Sequence, residues 1–113
     1  MVIISNAFSL QMLPDGLQIW VKSLTAEQVK ELLGPDGWTS VVGHADTAAV
    51  ISEQLGMTVP HNRQNVTLQE GDVLYVAQLT GGRLPEGATT LPEGFNIVWR
   101  HVVVIKEEQY EII

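Results

Sequence analysis

The chain opens on an unbroken apolar run, Val2-Ile3-Ile4, of the kind that forms a strand buried on both faces. It stops at Ser5-Asn6, and Ser5, Asn6 or Ser9 is placed to cap a short helical turn through Met12-Leu13. Pro14-Asp15-Gly16 is a turn, and Leu17 to Val21 alternates with the period of two that marks a strand. Thr25-Ala26-Glu27-Gln28 has the form of a capping box, so a helix is predicted from there to about Leu33, with Gly34 as its stop and Pro35 beyond. Pro35-Asp36-Gly37 turns the chain into a strand predicted from Trp38 to Val42. Gly43-His44-Ala45-Asp46-Thr47 breaks it, and a helix follows over residues 48–55, with Val50, Ile51 and Leu55 on one side and Gly56 at its end. Asn65 to Leu68 has the pattern of a short strand, residues 69–72 of a turn, and Val73 to Leu79 of a stronger strand. The last strand runs from about Asn96 to Ile105, before a polar tail KEEQYE. Strands and helices intermix, which predicts an α/β fold with a mixed sheet of about five strands flanked by helices.

Length and composition narrow this further. A chain of 113 residues fits one domain, residues 1–113, able to bury a core but not to enclose a large ligand alone. With 45% apolar and 17% charged residues it is globular in composition. No apolar run approaches the ~20 residues of a membrane span, and MVIISNAFSL lacks the basic start of a signal peptide, so no membrane partner and a cytoplasmic location are expected. The absence of cysteine removes disulfides and thiolate chemistry and suits a reducing compartment. A net charge of −7, with only six Lys and Arg, disfavours a duplex-DNA partner, whose phosphates demand a basic face. An anionic ligand has to be small and locally held.

Residues 81–94, GGRLPEGATTLPEG, carry LPEG twice and hold up Arg83 and Glu86. Gly and Pro punctuate ordinary connections, but a structureless stretch of ~12 residues or more in a small domain also suits a flap over a site. Three further segments place polar residues just past a strand: SNAFSLQ at 5–11, GHADT at 43–47 and QLTGGR at 78–83. Strand ends are common ligand sites in α/β folds. In GHADT, Gly43 permits close backbone approach, Asp46 or Thr47 can cap the next helix, and the amides of that helix start suit a phosphate. His44 stands just before them, and histidine titrates near neutrality. An ordinary loop, with Asp46 as a plain cap, fits the same residues. His61, in a polar loop, is expected in solvent, and His101, inside an alternating strand, at the surface or satisfied in the core. The three histidines have no metal-ligand spacing, so no metal and no cofactor are expected. There is no GxSxG, GxxxxGK[ST] or GxGxxG.

His44, Arg83 and Glu86 together suit one chemistry. RNA carries its own nucleophile, the 2′-hydroxyl. Cleavage then needs an acid for the departing 5′-oxygen, a cation for the phosphoryl charge, and in-line geometry. A histidine and an arginine supply the first two, and a glutamate can orient either or help remove the 2′ proton.

Asn6-Ala7-Phe8-Ser9-x-x-Met12-Leu13, Gly43-His44-x-x-Thr47, Asn62-Arg63-x-x-Val66, Gly71-Asp72, Gln78-Leu79 and Gly82-Arg83-Leu84-Pro85-Glu86-Gly87 follow one another in this order. With them the chain resembles the small viral and prokaryotic ring nucleases found as type III anti-CRISPR proteins, over roughly residues 2–100. The resemblance implies a metal-independent phosphodiesterase that cuts cyclic tetra-adenylate, the second messenger of type III CRISPR defence, into linear di-adenylates with 2′,3′-cyclic phosphate ends. It implies a homodimer with the ring across its two-fold axis. It puts the catalytic histidine at His44, the loop arginine at Arg83 and the glutamate at Glu86. Ligand contacts fall on Asn6, Ser9, Thr47, Arg63 and Gln78, and with less support on Gln11. Asp46 stands where relatives often have a serine-like residue, and a carboxylate there repels phosphate unless it turns away to cap its helix. Two rival readings stand beside this: a module that binds the ring without cutting it, as a sponge or sensor, and a small nucleic-acid-binding regulator of a mobile element.

Overall fold

The computed structural model describes residues 1–106, and the polar tail beyond Lys106 lies outside the described residues. A five-stranded mixed sheet has β1 (Val2–Ser5), β2 (Leu17–Leu24), β3 (Thr39–Ser40), β4 (Val73–Thr80) and β5 (Asn96–Lys106) in the spatial order β2-β5-β4-β1-β3. Two helices accompany it, α1 (Ala26–Leu33) and α2 (Ala45–Leu55), so the α/β class is as expected. β1 lies between β3 and β4 and is parallel to both, while β5 is antiparallel to β2 and β4. The consequence for function is direct: β1, β3 and β4 all end on one side of the sheet, and the polar residues that follow each of them gather there.

Burial explains the sequence pattern. The central β4 has four consecutive buried residues, Leu74 to Ala77, and β1 has three, because both are covered on both faces. β5 alternates. One face of the sheet sends Ile4, Tyr75, Ala77, Ile97 and Trp99 into a core shared with Val29 and Leu33 of α1 and Val50, Ile51 and Leu55 of α2. The other face buries Ile3, Leu74, Val76, Val102 and Val104 under Phe8, Met12, Leu13, Val66 and Leu68.

Local chemistry sets the ends of the elements. Ser9 caps a single 3₁₀ turn, Leu10–Met12, its Oγ accepting from the Gln11 amide at 3.2 Å. The predicted capping box forms at α1: Gln28 N–H donates to Thr25 Oγ1 at 3.1 Å and Thr25 N–H to Gln28 Oε1 at 2.9 Å. Such a cap contributes about 1 kcal/mol. Gly56 ends α2 in the left-handed conformation, φ 65°.

Three expectations are corrected. β3 spans only Thr39–Ser40. Beyond it Ser40 bonds sideways, its Oγ donating to Pro60 O at 2.6 Å and its carbonyl accepting from Asn62 Nδ2 at 2.8 Å, and this staples the 60–63 segment along the strand end. Asn65 to Leu68 is not a strand: Val66 and Leu68 do point into the core, but the Leu68 amide donates to Met12 O at 2.7 Å and no ladder forms. The second helix begins at Ala45, not Ala48. His44 is its N-cap through the backbone alone, the Ala48 amide donating to His44 O at 2.9 Å, and neither Asp46 nor Thr47 caps it.

Candidate functional site

Three recesses carry most of the predicted residues, the first on the helix side of the sheet and the other two on its opposite face. The first, about 190 Å³, is lined by His44, Thr47, Leu79, Arg83 and Leu84. His44 ends the β3–α2 connection, Thr47 is buried on the first turn of α2, Leu79 is near the end of β4 and Arg83 is at the near end of the long loop. His44, Thr47 and Arg83 thus line one small cavity at the amino end of a helix whose first amides have no side-chain cap. Such an end favours negative charge.

The second recess, about 410 Å³, is lined by Ser5, Asn6, Ser9, Gln11, Gly43 and Arg63 among others. Asn6 joins it to the first: its Oδ1 accepts from the Gly43 amide at 3.2 Å, locking the end of β1 to the residue before His44. The Arg63 stem lies directly against Gly43: a Cβ there would be in van der Waals contact with its Cγ at 3.4 Å. Arg63 owes its position to the Ser40–Pro60–Asn62 staple, reinforced by Asn62 N–H donating to Val42 O at 2.9 Å.

The third recess, also about 410 Å³, has Asn6, Phe8, Val21, Gln78, Arg100 and Val102 in its wall. Asn6 therefore borders both larger recesses. Arg100 is the residue that sequence reasoning missed. In β5 it is in phase with Val98 and Val102, which was legible, and the β4–β5 register, which was not, brings Gln78 onto the same face. Its Nη1 donates to Ser23 Oγ at 2.7 Å.

Eight of the nine predicted residues, Asn6, Ser9, Gln11, His44, Thr47, Arg63, Gln78 and Arg83, line one or more of these recesses. Glu86 lines none of the three and is exposed on a turn past Arg83. Against expectation, Asp46 does not turn to cap its own helix but takes a partner in the loop. Its Oδ2 accepts from the Gly87 amide at 3.2 Å, tying the loop to the first turn of α2.

The loop itself is built, not slack. Its two ends touch: a Cβ on Gly81, φ 109°, would lie 2.7 Å from Gly94 O and 2.8 Å from Phe95 Cα. Leu84, Ala88 and Leu91 pack on the helix-side core. The repeated LPEG is two copies of one turn. Ala88 N–H donates to Pro85 O and Phe95 N–H to Pro92 O, each at 3.1 Å, with Gly87 and Gly94 at φ 78° and 84° in the third position, as a type II turn requires.

The remaining histidines sit elsewhere. His61 is exposed, beside Val42 in an isolated bridge. His101 stacks on Tyr75 of β4, ring centroids 4.9 Å apart and nearly parallel. Burial, and secondarily the Lys22 charge on the paired strand, holds His101 below the usual histidine range, while burial pushes the Tyr75 phenol up. Among the described residues no three His, Asp or Glu side chains form a cluster able to hold a metal ion, and no helix is long and apolar enough to cross a membrane.

Residues 2–97 match the family model described as STIV B116-like. A protein of Sulfolobus islandicus filamentous virus (isolate Iceland/Hveragerdi), named uncharacterized protein 26, is 35% identical over 114 residues, covering 95% of both chains. Among solved structures, B116 of Sulfolobus turreted icosahedral virus is similar with a TM-score of 0.77 and 28% identity, over 90% of this chain and 97% of that one.

Proposed function

The chain belongs to the STIV B116-like family, and from the cavity that His44, Thr47 and Arg83 line together we propose that it is a metal-independent ring nuclease. Its substrate in this reading is cyclic tetra-adenylate. Phosphate oxygens face the amides at the head of α2 and the Arg83 guanidinium, which takes up the charge that grows on the phosphoryl group. The ribose 2′-hydroxyl attacks phosphorus in line with the 5′-oxygen. The P–O5′ bond breaks as the P–O2′ bond forms, and His44, as imidazolium, delivers the proton the 5′-oxygen needs to leave. The 2′ proton passes to a base. Glu86, three residues past Arg83, is assigned either to that proton or to orienting the arginine. The products are linear di-adenylates with 2′,3′-cyclic phosphate ends, and the messenger of type III CRISPR defence is removed.

Asn6, Ser9, Gln11, Arg63 and Gln78 hold the rest of the ring along the two larger recesses. Those recesses are open and lie side by side rather than enclosing a volume, which suits a ring shared between two chains. A four-fold ring contains a two-fold axis, so a homodimer offers each group to opposite phosphates. Arg63 and Arg83 from two chains then face four phosphates. The viral relatives fit a protein that acts in the cytoplasm of an infected cell.

The observation that carries the proposal is the shared cavity of His44, Thr47 and Arg83. Its test is product analysis with labelled ring: the wild type yields di-adenylates, and His44→Ala binds the ring but turns it over ~10²–10⁴-fold more slowly. Equal cleavage by both proteins refutes the role of His44. Binding with no cleavage by either makes the protein a sponge.

A further inference from the structure

We propose that Asp46 is a positioning residue that fastens the 81–94 loop to α2 and so keeps Arg83 in the wall of the His44 cavity. The functional half of this rests on the ring-nuclease reading, and the structural half does not. Asp46 lies on the first turn of α2, two residues after His44, and its Oδ2 accepts from the Gly87 amide at 3.2 Å. Gly87 belongs to the turn that follows Arg83 and carries Glu86. Among the described residues, the other hydrogen bonds made within 82–94 are local ones closing its two turns, Ala88 to Pro85 and Phe95 to Pro92. The Asp46 bond is therefore the polar tie between this stretch and the rest of the molecule, and its other restraints are the apolar contacts of Leu84, Ala88 and Leu91. At the near end stand Gly81 and Gly82, both at positive φ (109° and 128°), a joint that fixes the path of the chain but offers no side chain to hold it.

The choice of a carboxylate has two consequences that oppose each other. It is a strong acceptor, better than a neutral amide for the Gly87 N–H, and its charge is favoured at the first turn of a helix. The same charge stands beside the helix end where an anionic ligand is expected, and weakens that ligand's binding. Asparagine separates the two effects, because its Oδ1 keeps an acceptor in place and removes the charge. Alanine removes both.

The experiment compares wild type, Asp46→Asn and Asp46→Ala. Hydrogen exchange is followed first on the free protein. Amides of 84–91 exchange about tenfold faster in Asp46→Ala and close to the wild-type rate in Asp46→Asn, while β4 and β5 amides keep their rates in all three. Steady-state cleavage of cyclic tetra-adenylate is measured next. Asp46→Ala loses about tenfold in kcat, and Asp46→Asn retains kcat with a KM lowered a few-fold. Unchanged loop exchange in Asp46→Ala overturns the fastening role, as does an asparagine variant that exchanges like alanine. If no variant, wild type included, cleaves the ring, the nuclease reading fails and exchange alone decides whether Asp46 fastens the loop.

Discussion

Among single residues, His44 stands between a strand end and a helix start and lines a small cavity with Thr47 and Arg83. That much was legible in GHADT, because a glycine that permits close approach and a polar residue before a helical pattern have a physical meaning without any structure. The partner of Asp46 was not legible. Whether a carboxylate at the first turn caps its own helix or reaches 41 residues ahead depends on where the loop lies, which local sequence does not encode. His101 gives a prediction independent of function. Its native state holds it below the ordinary value of 6.5, through burial first and Lys22 second. As pH falls, the unfolded chain takes up that proton before the native one, so stability is full above about pH 6.5 and declines as pH drops from there through the lower native value. Thermal unfolding between about pH 7 and pH 5 should show this loss, and His101→Phe, which keeps a ring against Tyr75, should flatten it. A wild-type curve that stays level or rises toward low pH contradicts the assignment.

Single elements show why some strands were readable and one was not. β4 and β5 announce themselves by length and burial, and both agree with the sequence to within one residue. Asn65 to Leu68 alternates as β5 does, since Val66 and Leu68 face the core. Period-two burial records which side chains are covered, though, and says nothing of where the amides bond. Here they have no adjacent strand to pair with. The early start of α2 was hidden for a related reason: it is capped by the His44 backbone and not by a side chain. The 81–94 loop makes the sharpest element-scale prediction. Gly81→Ala puts a methyl into backbone atoms at 2.7 and 2.8 Å, at a φ an L-residue avoids. It should cost roughly 1–3 kcal/mol, read from urea unfolding, and should reduce ring turnover by displacing Arg83. Gly16→Ala, also at positive φ (83°) but with nothing within 4 Å, is the control for conformation alone and should cost less. Equal losses in the two variants contradict a closed loop base.

At the scale of the whole molecule, the strand order puts the ends of β1, β3 and β4 side by side, and with them several of the residues proposed to hold the ring. Composition had excluded a broad basic face, and the site honours that: its cations are few, Arg63, Arg83 and Arg100, each in a recess of its own. If the ring is shared between two such chains of 12.4 kDa, sedimentation should show twice that mass with one ring bound per two chains. A monomer that binds one ring per chain contradicts the shared site. The most direct measurement is to incubate the purified protein with cyclic tetra-adenylate in EDTA and resolve the products over time. Linear di-adenylates ending in 2′,3′-cyclic phosphate, formed by the wild type and suppressed in His44→Ala, are the predicted result. A ring that stays intact, or one that is cut only after a divalent metal is restored, contradicts it.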